Sequence, residues 1–178
     1  FAHVSCLAEQ AKILVAEALE NNLDTKVKNQ RFKRWHMCSL CEQEYHGIVR
    51  CALGWACWKT YVGRPETDKI RILAMGTLGS GLYLANYKED ALSVKQAEMS
   101  MLRRVGAPEQ SILVSQGNIA NTYKALGRRE EALRMLRDVY SGYLRHRDLG
   151  PLHQSTLGMA LNLSTSLVDT GNYAEARA

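Results

Sequence analysis

Four residues near the N-terminus have the types and spacing of metal ligands. His3 and Cys6 form a His-x2-Cys pair, and Cys38 and Cys41 form a Cys-x2-Cys pair. Imidazole nitrogen and thiolate sulfur are ligands that zinc prefers, and two cysteines two residues apart on a turn can place both thiolates on one tetrahedral ion. The sequence therefore predicts zinc as a cofactor, with these four residues as candidate ligands.

Other interpretations of the cysteines stay open. A lone Cys-x2-Cys pair also occurs in redox proteins, but that use needs a β-α-β context that this sequence does not show. The pair can also be structural, without a metal. Cys51 and Cys57 fall in a segment with the pattern of a buried helix, so we expect both to be core residues. His36 and His46 flank the pair. They are interpreted either as substitute ligands or as supporting and surface residues.

The elements that must position these residues are helices. Ser5 to Asn22 carries one apolar stripe, which is typical of an amphipathic helix. Residues 24–33 are polar, and we expect them to be weakly structured. A basic run without an acid crosses this stretch, and it can be a solvated loop or a contact for phosphate or acidic partners. Its members are Lys26, Lys28, Arg31, Lys33 and Arg34.

A pair of helices over residues 118–140 recurs along the rest of the chain. Apolar residues fall at helical spacing on both sides of Gly127, a residue type that tolerates the left-handed turn at a helix end. The pattern returns at a period of roughly 40 residues, as in a stacked α-solenoid. The sequence predicts an all-α fold of stacked helix pairs with repeats at about 69–107, 108–151 and 152–178. A connecting helix or degenerate repeat is expected at 47–68, after a small, incomplete zinc-finger-like segment at 1–46.

The first helix of each repeat carries a polar face opposite its packing stripe. Asparagine amides on this face offer both a donor and an acceptor, which suits a peptide backbone held with little demand on its sequence. The alternative is that these are helix-surface polar residues without a ligand. The predicted partner groove consists of Thr77, Ser80, Tyr83, Asn118, Asn121, Lys124, Asn162 and Thr165.

The repeat segment, about 70–178, resembles the tetratricopeptide repeat of the kinesin-light-chain type. The linker Leu-Gly-Pro-x-His-x-x-Thr-Leu at 149–157 is similar to that of the subfamily. The triplets at 118–120 and 162–164 are similar to its first-helix core. The resemblance implies a protein that binds an extended peptide or a partner helix in the concave groove of the repeats.

Residues 1–46 resemble the C-terminal half of a RING-variant (RING-CH) zinc finger. His3, Cys6 and Leu7 match its His-x2-Cys-Leu element before a helix. The closing Trp-x-x-Cys-x-Leu-Cys-x-x-x-Tyr element is matched by Trp35, Cys38, Leu40, Cys41 and Tyr45. The resemblance implies a zinc cross-brace in which the first ligand pair and the second serve different ions, and it implies a ubiquitin-conjugating enzyme as a partner.

The composition and the motifs limit the classes of function that the protein can have. The 178 residues carry a formal net charge of +5, spread fairly evenly, and no apolar run is long enough to span a bilayer. We find no constellation for nucleophilic, hydride or phosphoryl chemistry and expect no nucleic-acid partner. The sequence at both ends of the chain is typical of a fragment. The cysteine usage, without a secretion signal, favours a reducing intracellular compartment, the cytoplasm. We therefore expect an interaction scaffold, with a RING-variant ubiquitin ligase as the alternative.

Overall fold

A computed structural model describes residues 3–177 of the chain. Helices account for the regular structure of this part, and a single antiparallel bridge joins Met37 to Glu44. A short 3-10 helix, Lys33–Trp35, follows the second α-helix. The α-helices are α1 Val4–Glu20, α2 Thr25–Phe32, α3 Gly47–Tyr61, α4 Lys69–Leu84, α5 Lys88–Arg104, α6 Glu109–Ala125, α7 Arg129–Arg145, α8 Gln154–Asp169 and α9 Tyr173–Ala176.

The all-α prediction is confirmed, and the turns within the helix pairs follow the predicted chemistry. Asn86, Gly127 and Gly171 stand at equivalent repeat positions, and they have φ values of 69°, 75° and 78°. Glycine adopts this left-handed conformation without steric cost, and asparagine is among the side chains that tolerate it best. Each first helix can therefore end sharply and let the second helix fold back.

The polar stretch after α1 is helical, which corrects the expectation of weak structure there. Asp24 caps α2, because its carboxylate accepts a hydrogen bond of 2.9 Å from the Val27 N–H. A capping carboxylate satisfies a backbone donor that a helix start would otherwise leave unpaired. The only buried side chain of α2 is Phe32. This leaves the apolar periodicity too weak to reveal the helix in the sequence.

The chain divides into two compact units, Phe1–Val94 and Lys95–Ala178. In the first unit one core cluster gathers around Trp35, whose ring meets that of Tyr61 edge-on at a centroid distance of 5.9 Å. Cys51 and Cys57 are buried in the cores of this unit, as predicted. Burial raises the pKa of the Cys57 thiol. Both cysteines are therefore packing residues.

The core of the second unit is built from facing residues of three helices. From α6, α7 and α8, respectively, come Ala120, Leu133 and Leu163, all buried in one cluster. The small Ala120 and the glycine at 142 let the helices approach closely; a β-carbon added to Gly142 would lie 2.5 Å from Leu113 Cδ2. Small residues at helix crossings are what stacked helix pairs need. The best-formed helix pair, α6 and α7, therefore lies inside this unit.

Candidate functional site

In the second unit, the helix α6 carries two exposed asparagine side chains, and its backbone at this point is held by hydrogen bonds. Asn118 and Asn121 are exposed, whereas Ile119, Ala120 and Thr122 are buried. The Thr122 hydroxyl donates a hydrogen bond of 2.8 Å to the carbonyl oxygen of Asn118. The two asparagine side chains thus project from a helix whose other side is fixed in the core.

A buried lysine, which sequence reasoning missed, supports this part of α6. The Lys95 ammonium donates to Thr122 Oγ1 at 2.9 Å and to the Asn118 carbonyl oxygen at 3.3 Å. Only 8% of Lys95 is exposed. In the repeat register Lys95 takes the place that Leu136 takes in α7, so a charged residue at a core position was the available signal.

The third repeat contributes a second polar row on α8. Asn162 and Thr165 are exposed, and Leu163 between them is buried. The Thr165 hydroxyl donates to the Leu161 carbonyl oxygen at 2.7 Å. Lys124 of α6 reaches Asp169 of α8, with 2.9 Å between Lys124 Nζ and Asp169 Oδ2. The second unit therefore carries exposed amides and a hydroxyl on two helices, α6 and α8, that are joined by an ion pair.

The three predicted groove residues of the first unit are buried or half-buried. Thr77 is 7% exposed, and its hydroxyl donates to the Leu73 carbonyl oxygen at 2.8 Å. A β-carbon on Gly54 would lie 3.1 Å from the Thr77 carbonyl oxygen, so α3 packs against this part of α4. Thr77 therefore does not face solvent. This corrects the prediction, made from helical phase, that its side chain lies on the exposed polar face of the helix. Ser80 and Tyr83 are half-buried, and Lys88 Nζ lies 3.5 Å from the centre of the Tyr83 ring.

The Cys-x2-Cys pair lies at the tip of a small hairpin. The Cys38 N–H donates to the Gln43 carbonyl oxygen and the Tyr45 N–H donates to the His36 carbonyl oxygen, both at 2.9 Å. The Leu40 N–H points at Cys38 Sγ at 3.4 Å. Hydrogen bonds from the backbone of Cys41, which has the larger effect, and of Leu40 lower the pKa of the Cys38 thiol. The hairpin thus favours the thiolate that a metal ion would require.

The other predicted ligands lie on α1. His3 is the residue before the helix and Cys6 is in its first turn, and both are exposed. Over residues 3–177, no group of three or more His, Cys, Asp and Glu side chains could hold one metal ion. His36 is half-buried with Nδ1 unpartnered, and the exposed His46 precedes α3. The two predicted ligand pairs therefore stay separate in this structure.

The comparisons with known proteins find a repeat match and a similar fold. A tetratricopeptide repeat family model matches residues 112–146. The crystal structure of nearly identical TPR-like repeats from a Podosopora anserina kinesin light chain is similar to this chain, with 19% identity and a TM-score of 0.60. The match covers 99% of this chain and 72% of that one. A variant of the same repeats matches equally, at 19% identity and a TM-score of 0.60, with the same coverage of both chains.

A comparison with curated proteins finds no match. At this level of identity the structural likeness shows the fold alone, and the fold is a TPR-like helical solenoid. Within the described part of the chain, no helix is both long and apolar enough to cross a membrane.

Proposed function

We propose that the protein is an interaction scaffold, and that the polar rows of α6 and α8 bind an extended segment or a helix of a partner protein. The observation that carries the proposal is the exposure of Asn118, Asn121, Asn162 and Thr165 on first helices of the repeats. Tetratricopeptide repeats generally bind proteins or peptides, and the family match includes the two α6 asparagines.

The chemistry of the row suits a peptide backbone. Each amide has a donor and an acceptor, so two neighbouring asparagines can pair with the N–H and C=O groups of an extended chain. Lys95 and Thr122 hold the backbone of Asn118 in place. A row that is fixed before binding loses little conformational entropy on capture. The Lys124–Asp169 pair can fix the relative position of α6 and α8.

The test is a selection of peptides from a displayed library against the whole chain, followed by affinity measurement by fluorescence anisotropy. Changing Asn118 and Asn121 together to Ala should weaken binding about tenfold or more, since each lost hydrogen bond contributes roughly 0.5–1.5 kcal/mol. Circular dichroism should show unchanged helicity.

The matched control is Arg134→Ala with Asp138→Ala, two exposed residues of α7 in the same unit. This pair should leave the affinity within about twofold. If the asparagine variant binds the selected peptides as well as the parent chain does, the proposed groove is wrong.

We further propose that Cys38 and Cys41 form half of a zinc site. The hairpin supports this because its backbone N–H groups stabilise the Cys38 thiolate. The hairpin supplies two of the four ligands that a structural zinc ion takes. In the arrangement that the resemblance implies, His3 and Cys6 would belong to the site of a second ion. Zinc bound there would act as a structural crosslink.

All five cysteines are free thiols, which supports a reducing compartment such as the cytoplasm.

This hairpin is also the one observation that favours the alternative, a RING-variant ubiquitin ligase. Such a protein acts by positioning a charged conjugating enzyme and needs no nucleophile of its own. In that case the repeats would select the substrate. The scaffold remains the primary proposal because the residues that carry it are exposed on first helices of the repeats in the second unit.

A further inference from the structure

A basic cleft in the first unit is separate from the proposed peptide groove. It has a volume of about 770 Å³ and lies between one side of α2 and the cysteine hairpin. Ligand clefts of proteins typically measure roughly 300–1,000 Å³. Three cations line it, Lys26, Lys33 and Arg34, and Glu42 is the one acid among its lining residues.

The helix α2 divides the basic run between two faces. Lys28 donates to Asn22 Oδ1 at 3.1 Å, and Arg31 lies 3.9 Å from Glu17 Oε2 of α1. These two side chains are turned toward the α1 side. Lys26 and Lys33, on the cleft side, have no acidic partner among residues 3–177. The unpaired half of the basic run therefore faces the cleft.

The third cation of the cleft is held in position. Arg34 Nη1 donates to the Cys38 carbonyl oxygen at 3.1 Å, so the guanidinium is tied to the hairpin that forms the opposite wall. Asn29 and Gln30 of α2 lie between Lys26 and Lys33 in the sequence, and their side chains also line the cleft. This wall, formed by α2 and the first residue of the 3-10 helix, therefore has two amides, which can both donate and accept hydrogen bonds, between two full positive charges.

We propose that this cleft is a second docking site and that its ligand is an acidic peptide segment of a partner protein. The three cations match carboxylates, and the two amides match peptide N–H and C=O groups. No aromatic ring lines the cleft in the described part of the chain. Single-stranded nucleic acid usually needs such rings for base stacking, which makes a peptide the better fit. The site does not depend on the proposed groove of the second unit.

The experiment measures binding of a fluorescein-labelled peptide of six glutamates by anisotropy at low salt. A peptide of six glutamines and a labelled DNA duplex serve as the other probes. The hexaglutamate should bind, the hexaglutamine should not, and added salt should weaken binding. Lys26→Glu with Lys33→Glu should reduce the affinity for hexaglutamate about tenfold or more. Glu42→Gln should raise it about twofold, because a repulsive charge is removed.

The matched control is Lys12→Glu with Lys59→Glu, two exposed lysines of the same unit outside the cleft. It changes the net charge equally and should alter the affinity by less than about threefold. Lys26 is in the first turn of α2, where a glutamate is favoured, whereas the exposed Lys33 is at its C-terminal end, where a glutamate costs roughly 0.3–1 kcal/mol. These opposite effects are small, so circular dichroism should show that the cleft variant remains folded. Equal loss in both double variants, no hexaglutamate binding, or binding of the duplex in its place would each overturn the proposal.

Discussion

A β-carbon placed on Gly81 would lie 2.8 Å from the carbonyl oxygen of Arg50, and 3.1 Å from Cys51 Cα. The relationship is reciprocal, because a β-carbon on Gly54 would lie 3.1 Å from Leu78 Cα. The two helices α3 and α4 therefore meet backbone to backbone at a pair of glycines. A backbone atom cannot swing aside as a long side chain can, so this contact has no room for a methyl group.

Gly81→Ala should lower the free energy of unfolding of the first unit by about 1–3 kcal/mol, the usual cost of overpacking a core. The measurement is urea unfolding followed by circular dichroism. Gly158→Ala is the matched control, since Gly158 lies in α8 with nothing within 4 Å of the added carbon. That change should stabilise by roughly 0.5–1 kcal/mol through helix propensity. Equal effects of the two variants would show that α3 and α4 can separate freely.

The sequence was sufficient for the repeats because their signals are local. Helical spacing of apolar residues and a turn residue at Asn86, Gly127 and Gly171 depend only on neighbours in the chain. The exposed amides of Asn118 and Asn121 follow from the same periodicity. The fold class and the exposure of these two amides could therefore be predicted.

What the sequence could not supply depends on packing between elements. Thr77 has the phase of a groove residue, but α3 packs against that part of α4. The helix α2 has one buried residue, Phe32, and is marked mainly by its cap at Asp24. Helical phase gives the direction of a side chain and says nothing about which element covers it.

Glu98 should make the stability of the protein depend on pH. Burial raises the pKa of this carboxyl group to about 7 from an ordinary value of 4.5, against the opposing effect of the Lys95 charge. Between these values the folded protein holds a proton that the unfolded chain has lost, so stability falls as the pH rises from about 4.5 to 7. The difference between the two pKa values corresponds to at most about 3 kcal/mol across this window. We expect a loss of about 2 kcal/mol, because Glu98 is half-buried and solvent reduces the effect.

Glu98→Gln should remove this contribution, so that the free energy of unfolding falls less between pH 5 and pH 8 than it does in the parent chain. Urea unfolding at a series of pH values measures it. The exposed Gln110, which has no ionisable group, provides the control, and Gln110→Ala should leave the pH profile as it is. A Glu98→Gln profile that coincides with that of the parent would contradict the burial effect.

Lys95 and Glu98 together occupy core positions of the repeat pattern. In α7 the equivalent residues are Leu136 and Val139, which are 1% and 0% exposed. Lys95 is buried and Glu98 is half-buried. Replacing ionisable groups at such positions by well-packed apolar residues is often neutral or stabilising, by roughly 1–4 kcal/mol. The double change Lys95→Leu with Glu98→Val should therefore raise the urea midpoint at pH 7.

The single change Lys95→Leu is the informative comparison. It leaves the half-buried Glu98 without its nearby cation, so this variant should be less stable than both the parent and the double variant. Because Lys95 also holds the backbone of Asn118, the double variant should bind peptides at the groove more weakly although it is more stable. A double variant less stable than the single one would refute the packing argument.

The cysteine hairpin makes a prediction about metal binding that is independent of the repeats. Titration with Co²⁺, which substitutes for zinc, should produce thiolate-to-metal charge-transfer absorption from Cys38 and Cys41. Cys38→Ser should abolish this absorption, whereas His46→Ala should retain it. Cys57→Ala is a second control, because this thiol is fully buried in the core, away from the hairpin.

With only two thiolates on the hairpin, added chelator should strip the ion readily, because two of four ligands give a weak site. Absorption that survives Cys38→Ser, or that disappears with His46→Ala, would mean that the hairpin is not the metal site.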